Sequence, residues 1–464
     1  MAGLARPGAD GYGCAQPFLG GNDMKKWTIA ALMPLLITTA VTSTTVDADE
    51  HGPWFVDEEK LPFEAETGAT NTWGVLGNAG YRIEIPDEWN GELVMWAHGY
   101  RGEGFELTVD VPPIRSHLIE QGYAWAASSY EQNSYNILTG VDSTAALAEF
   151  TSNDVLPQRP ARTYLMGASM GGHITGVSIE QHDIYDGAMP ICGVMGDFEL
   201  FDYFLDYNLA AQQLALGESE FPVEPVEYFT TTVPAIKEEF AGAPGAFPFV
   251  LSDTGEQFKQ LVELRSGGDR PNFDEAFAFW QGFPTATGFG NFLFDLGTGD
   301  GSLPNTGGLS VLDNSTTRYQ LDLSPGRSAD EKALDRGIAR VAPDSGARDN
   351  GEEITGDIDI PVLSLHNLGD LFVPFSMEVD YERDVRKQGN KQLLVQRAIR
   401  GVGHCDFTAF ELTTGFDDLT NWVETGQRPA GDDVRHPKAV ADDDYGCRFS
   451  DPDHTLHSFA VPCP

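Results

Sequence analysis

The chain is 464 residues long and carries 71 Asp and Glu against 29 Lys and Arg, a formal net charge of −42 with its 10 histidines neutral. That balance excludes a nucleic-acid binder as the leading reading, since phosphate affinity needs clustered Lys and Arg. It points instead to a soluble protein of a salty habitat, where self-repulsion is screened, and a hydrophobic content of 41% suffices for a sizeable core.

At the N-terminus, Met24-Lys25-Lys26 precedes an apolar stretch at residues 27–37, the charged start and short apolar core of a secretory signal. The stretch is too short to span a bilayer comfortably, and Val46-Asp47-Ala48 offers a small-residue cleavage site. Residues 1–23 look unlike any part of a signal, so translation is expected to begin at Met24, with residues 1–48 set apart as extension and signal. The expected location is secreted or periplasmic, with no stable membrane anchor after cleavage. Acidic runs such as Asp57-Glu58-Glu59 and Asp442-Asp443-Asp444 read as solvated surface, because none has the ligand spacing and central Gly of a calcium loop.

Residues 81–86 and 91–97 read as strands joined by a turn at Glu88-Trp89-Asn90-Gly91. The second strand ends in His98-Gly99-Tyr100, a loop able to offer a backbone N–H to a developing oxyanion; Tyr100 is the chosen donor and Arg101 the alternative. A helix at 114–121, a strand at 123–129 and a helix at 143–156 follow. This alternation predicts an α/β fold with a mostly parallel sheet covered on both faces.

Residues 162–166 form the next apolar strand, and Gly167-Ala168-Ser169-Met170-Gly171 leads from it into a helix rich in small residues. That is a nucleophile elbow: the glycines let a serine sit in a strained turn, with the N–H of Met170 at the helix start as a second oxyanion donor. A strand at 188–192 follows. Between Val194 and Asp357 the alternation lapses into an amphipathic aromatic helix at 198–216, Pro- and Gly-rich turns, and aromatic segments at 273–280 and 289–294. An insertion at this point must emerge over the strand ends, so residues 197–356 are expected to form a cap, most of its aromatics packing its own core. Residues 342–353 read as an exposed polar linker.

A short apolar run at 360–366 opens into Gly369-Asp370, followed by Val373-Pro374, which can start a helix. Asp370 is the candidate acid, with Asp197 as rival. The strand near 395–399 leads through Gly401-Val402-Gly403 to His404, the candidate base, while His98, His173 and His366 read as structural. A last helix at 407–424 precedes a polar tail in which Cys447 and Cys463 are the expected disulfide, and His454 and His457 are placed at the surface. The resulting division is 49–196 and 357–427 as two halves of a core, and 428–464 as a tail.

The elbow with Met170 after the serine, the His98-Gly99-Tyr100 loop, Gly369-Asp370 and Gly403-His404-Cys405 together resemble the α/β-hydrolase superfamily over roughly residues 80–200 and 355–427. Within it they look like secreted esterases and prolyl-oligopeptidase-like catalytic domains. The resemblance implies a Ser169–His404–Asp370 triad, an acyl-enzyme, an ester substrate that is small or polymeric, and no cofactor or metal. The alternatives are a peptidase of the same fold and a non-catalytic binding protein; oligomeric state is left open. His404-Cys405 is also similar to the tannase and feruloyl esterase group, where a cysteine after the histidine is bonded to one just before the serine. Residue 168 is Ala here, so that bridge cannot form. Cys192 is one partner open to Cys405, and two unpaired buried residues is the other reading.

Overall fold

In the computed structural model the described residues are 53–282, 294, 308–324, 326–453, 457 and 462–464. The expected signal and start site (residues 1–48, Met24), most of the segment at 289–294, and His454 lie outside them.

Eight strands form one sheet: β1 (Ala69–Leu76), β2 (Ala79–Pro86), β3 (Glu92–Ala97), β4 (Ala124–Ser128), β5 (Arg162–Ala168), β6 (Gly187–Ile191), β7 (Val362–Asn367) and β8 (Leu394–Ile399). Their order across the sheet is β1-β2-β4-β3-β5-β6-β7-β8, and β2 alone runs against its neighbours on both sides. Every residue of β3 is buried, as a strand covered on both faces requires. Alternate residues serve two cores: Val94 and Trp96 join Leu118, Phe416 and Trp422 on one face, while Leu93, Met95 and Ala97 join Val141, Ile174 and Tyr381 on the other.

The helices supplying those faces are α1 (Arg115–Glu120), α2 (Ile137–Phe150), α3 (Met170–Gln181) and, later in the chain, Ser376–Gln388 and Ala409–Thr425. α2 starts six residues before the expected position (137 against 143), because the Asn136 side chain accepts the Thr139 N–H at 3.2 Å and caps it there. Gly140 inside it gives room for α3, since a Cβ there would lie 2.3 Å from the Ile174 Cδ1. β1 was not foreseen. It is an edge strand with Trp73 and Val75 exposed, so its apolar residues do not mark a core face.

Between β6 and β7 the chain leaves the sheet for a series of helices, α4 (Glu199–Leu216), α5 (Val233–Phe240), α6 (Asp253–Arg265), α7 (Phe273–Gly282) and α8 (Ala329–Gly337). Tyr207, Phe240, Phe258, Phe273, Phe277 and Trp280 pack together there, joined by Leu371 and Val402 from the sheet's loops. Residues 342–353 correct the sequence expectation. Most of its residues are exposed as expected, but Ala347 and Glu352 are buried, Arg348 donates to the Val311 carbonyl at 2.7 Å, and Glu352 receives the Ile137 N–H, so the segment is anchored to the fold rather than a free linker. The helix after Asp370 begins at Ser376, not at Pro374; we number it α9, and Ala409–Thr425 α10. No helix among the described residues is long and apolar enough to cross a membrane.

Candidate active site

The parallel register aligns the carboxyl ends of the central strands. Ala97 of β3 sits opposite Gly167 of β5, Ala168 opposite Ile191 of β6, Ile191 opposite Leu365 of β7, and Asn367 opposite Ile399 of β8. Each strand therefore releases its loop at one edge, the place where open α/β sheets build their sites. Ser169 follows β5, Asp370 follows β7 and His404 follows β8, and the structure brings the three together. His404 Nε2 lies 2.8 Å from Ser169 Oγ and His404 Nδ1 lies 2.6 Å from Asp370 Oδ2. Asp370 is fully buried and its other oxygen accepts the N–H groups of Phe372 and Val373 at 2.9 and 3.0 Å, so the carboxylate cannot swing away.

Ser169 has φ 59° and ψ −122°, a conformation that L residues rarely adopt and that an elbow demands. α3 starts immediately after it at Met170, and the Ser169 carbonyl accepts the Gly172 N–H at 2.9 Å. The elbow closes through missing side chains. A Cβ on Gly171 would lie 2.1 Å from the Ala97 carbonyl oxygen, and one on Gly99 3.1 Å from the Ser169 Cβ. The second contact puts the Gly99–Tyr100 peptide beside Ser169.

That peptide is oriented by a residue that sequence reading left as merely structural. His98 is buried, burial lowers its pKa to about 4, and its Nδ1 lies 2.7 Å from the Gly99 carbonyl, to which the neutral ring donates. In a planar trans peptide the carbonyl and the next N–H point in opposite directions, so tying back Gly99 C=O aims the Tyr100 N–H the other way. Tyr130 stacks on the His98 ring at 4.0 Å and donates its hydroxyl to the His98 carbonyl at 3.0 Å. The Arg101 side chain is engaged with Asp110, and the Tyr100 hydroxyl bonds Glu103.

The rival acid Asp197 lies elsewhere. Its carboxylate accepts the Ile354 N–H at 3.1 Å and the Phe198 N–H, and burial pushes its pKa up to about 7. His173 bonds the Tyr135 hydroxyl at 2.8 Å and the Glu352 carbonyl at 2.7 Å, and burial lowers it to about 4. His366, buried between the Val373 carbonyl and Glu378, braces the acid loop from below.

Both disulfide questions are answered by position. Cys192, just after β6, is bonded to Cys405, next to His404, with Cα atoms 5.3 Å apart; Cys447 is bonded to Cys463. Phe372 meets His404 edge-on at 4.9 Å, and Trp280 of α7 donates to the carbonyls of Gly369 at 3.0 Å and Val402 at 2.8 Å. His457 contradicts its expected surface position. It is buried, within 2.9 Å of Glu411, because the tail folds back over the end of β8.

Strand order, elbow and the loops at one sheet edge define this chain as having the α/β-hydrolase fold. No family model matches it. Over 80 residues, 17% of the chain, it is 31% identical to an o-phthalyl amidase from Xanthobacter agilis, and the match spans only 18% of that relative's length. Among solved structures it is similar to feruloyl esterase B from Aspergillus oryzae, at 14% identity and TM-score 0.41 over 78% of this chain and 80% of that one. It is also similar to a tannin acyl hydrolase from Aspergillus niger, at 13% identity and TM-score 0.39 over 80% and 87%. A third is an acylaminoacyl peptidase from Pyrococcus horikoshii, at 10% identity and TM-score 0.34 over 73% and 38%.

Proposed function

We propose that this protein is a secreted serine hydrolase that cleaves carboxylic esters through an acyl-enzyme. The observation that carries the reading is the continuous hydrogen-bonded line from Asp370 through His404 to Ser169, 2.6 and then 2.8 Å. In this reading His404 Nε2 takes the Ser169 proton as Oγ attacks the substrate carbonyl, and the carbonyl electron pair moves onto oxygen. The Tyr100 and Met170 N–H groups hold that oxyanion. The intermediate collapses as His404 returns the proton to the leaving alcohol, and water, activated by the same imidazole, then releases the acid. Asp370 keeps the proton on Nδ1 so that Nε2 is free to accept, and it stabilises the imidazolium when that forms.

Residues 197–356 act as a cap in this reading. Its support is contact with the catalytic loops: Arg270 donates to the Leu368 carbonyl at 2.7 Å, Trp280 to Gly369 and Val402, and the Phe204 ring stacks on Phe372 at 6.0 Å. Phe372 beside His404, with Phe204 and Trp280 packed against it, favours an apolar or aromatic group on the substrate. Export is supported by the two disulfides, which persist in oxidising compartments. Amide cleavage is the second reading, favoured by the 80-residue likeness to an amidase. The test is hydrolysis of a p-nitrophenyl ester series, acetate to decanoate plus a ferulate ester, beside matched anilides, by wild type and Ser169→Ala. Ester turnover that vanishes in the variant supports the proposal. Anilides cleaved as fast as esters replace it with the amidase, and no turnover of either leaves a binding protein.

A further inference from the structure

His404 sits on a segment with no regular structure of its own, between the end of β8 and the start of α10. The C-terminal tail grips that segment at both ends. Before His404, the Arg400 N–H donates to Ser450 Oγ at 2.7 Å and the Arg400 guanidinium to the Tyr445 carbonyl at 2.9 Å. After it, Glu411 caps α10 by accepting the Thr408 N–H at 2.8 Å, and its second oxygen receives the Asp451 N–H at 2.7 Å and lies 2.9 Å from His457 Nε2. The other nitrogen of His457 faces Asp406, 3.6 Å away, and a Cβ on Gly401 would lie 3.3 Å from it. Asp406 is itself paired through its backbone with the Asn367 side chain at the end of β7, at 2.9 and 3.0 Å.

We propose that His457 is a positioning residue for the base His404: carried by the loop that Cys447–Cys463 closes, it bridges Asp406 and Glu411 and so fixes the segment from which His404 reaches Ser169. The proposal rests on the hydrolase reading above. Its chemistry is that of a buried imidazolium between two carboxylates. Burial opposes the charge, but Glu411, hydrogen-bonded to Nε2 at 2.9 Å, and Asp406, facing Nδ1 at 3.6 Å, outweigh it and raise the His457 pKa to about 10, which favours the doubly protonated ring at neutral pH. A neutral side chain loses the charge attraction to both carboxylates. The electrostatic tie across residues 406–411 then opens, while the Cys192–Cys405 bond and the Asn367–Asp406 backbone pair remain.

The experiment compares wild type, His457→Ala, His457→Gln and Ser169→Ala with p-nitrophenyl acetate, reading kcat, KM, the pH dependence of kcat and the unfolding midpoint. A shift of the base by a fraction of an ångström lowers kcat by about 10- to 100-fold and leaves KM nearly unchanged. That loss is expected in His457→Ala, with partial recovery in His457→Gln, whose amide still donates to Glu411. The acid limb of the kcat profile is expected to move in both variants, which loss of stability alone would not cause. If His457→Ala does not fold, His457→Gln decides. Wild-type kcat and pH profile in the folded variants, with Ser169→Ala inactive, overturn the positioning role alone. An active Ser169→Ala overturns the hydrolase reading itself.

Discussion

Replacing Asp370 by Asn tests the chemistry most directly, because the structure dictates how the amide must sit. Asp370 Oδ1 accepts two backbone N–H groups, from Phe372 and Val373, at 2.9 and 3.0 Å. An Asn would keep its carbonyl oxygen there and turn its NH2 toward His404 Nδ1, where Oδ2 now lies at 2.6 Å. The imidazole must then accept at Nδ1 and carry its only proton on Nε2, the atom 2.8 Å from Ser169 Oγ. In the proposed mechanism, an imidazole already protonated toward Ser169 Oγ cannot activate it. The expected loss is about 10⁴ in kcat, equivalent to about 5 kcal/mol of transition-state stabilisation, with KM little changed. The assay is steady-state p-nitrophenyl acetate hydrolysis, with circular dichroism to establish that the variant is folded. Asp197→Asn is the companion: among the described residues its carboxylate accepts from the Ile354 and Phe198 N–H groups and not from His404, so kcat is expected within about threefold of wild type. A folded Asp370→Asn enzyme with wild-type kcat, above all if Asp197→Asn were inactive, would refute the reasoning.

Gly171→Ala drives a methyl to within 2.1 Å of the Ala97 carbonyl and is expected to destabilise by about 3 kcal/mol or more, read as a lowered thermal midpoint; an unchanged midpoint contradicts the close approach. Removing Cys192–Cys405 as a double Ala variant frees a chain separation of 213 residues, which loop-closure entropy values at about 5 kcal/mol, and kcat is expected to fall with it, because Cys405 adjoins His404. Equal midpoints and equal kcat would refute that. The raised pKa of His457, from about 6.5 unfolded to about 10 folded, makes its stabilisation complete below about pH 6.5 and lost as pH rises through about 10. Wild type is therefore expected to melt progressively lower from pH 7 to 10, and His457→Gln to show a flatter profile. Finally, with a net charge of −42, the thermal midpoint is expected to rise with NaCl as the Debye length shortens from about 10 Å at 0.1 M to about 3 Å at 1 M. A flat salt titration would argue against self-repulsion.

Legibility from sequence followed the range over which each feature is encoded. Ser169, Asp370 and His404 each sit in a short local signature, a strand running into Gly-containing turn chemistry, and the same alternation of strands and helices gives the sheet. Features made by distant partners were hidden. His98 gains its role only when its ring turns onto the next carbonyl, and Glu352 is buried because it meets Ile137 across the fold. His457 looked like a tail residue among polar neighbours, and nothing local announces Asp406 and Glu411 as its partners. Edge strand β1 was missed because its polar and exposed positions blur the period-two pattern. The partner of Cys405 stayed open because no spacing rule links it to Cys192 once residue 168 is Ala.

The two halves of the site are held by different means, and this sets the order in which they fail. The serine elbow is locked to β3 by backbone meeting backbone at Gly171, with no side chain between them to loosen. The loops of Asp370 and His404 are joined to each other by backbone, the Gly369 N–H donating to the Gly401 carbonyl at 2.8 Å, but they are fastened to the helices and tail around them by side-chain bonds, among them those of Trp280, His366 and Glu411, together with one disulfide. Gentle heating or dilute urea should therefore disarm the protein before it unfolds: an intact serine turn facing a histidine that no longer arrives in time. Recovery from such a state would require only the return of one loop, not refolding of the sheet.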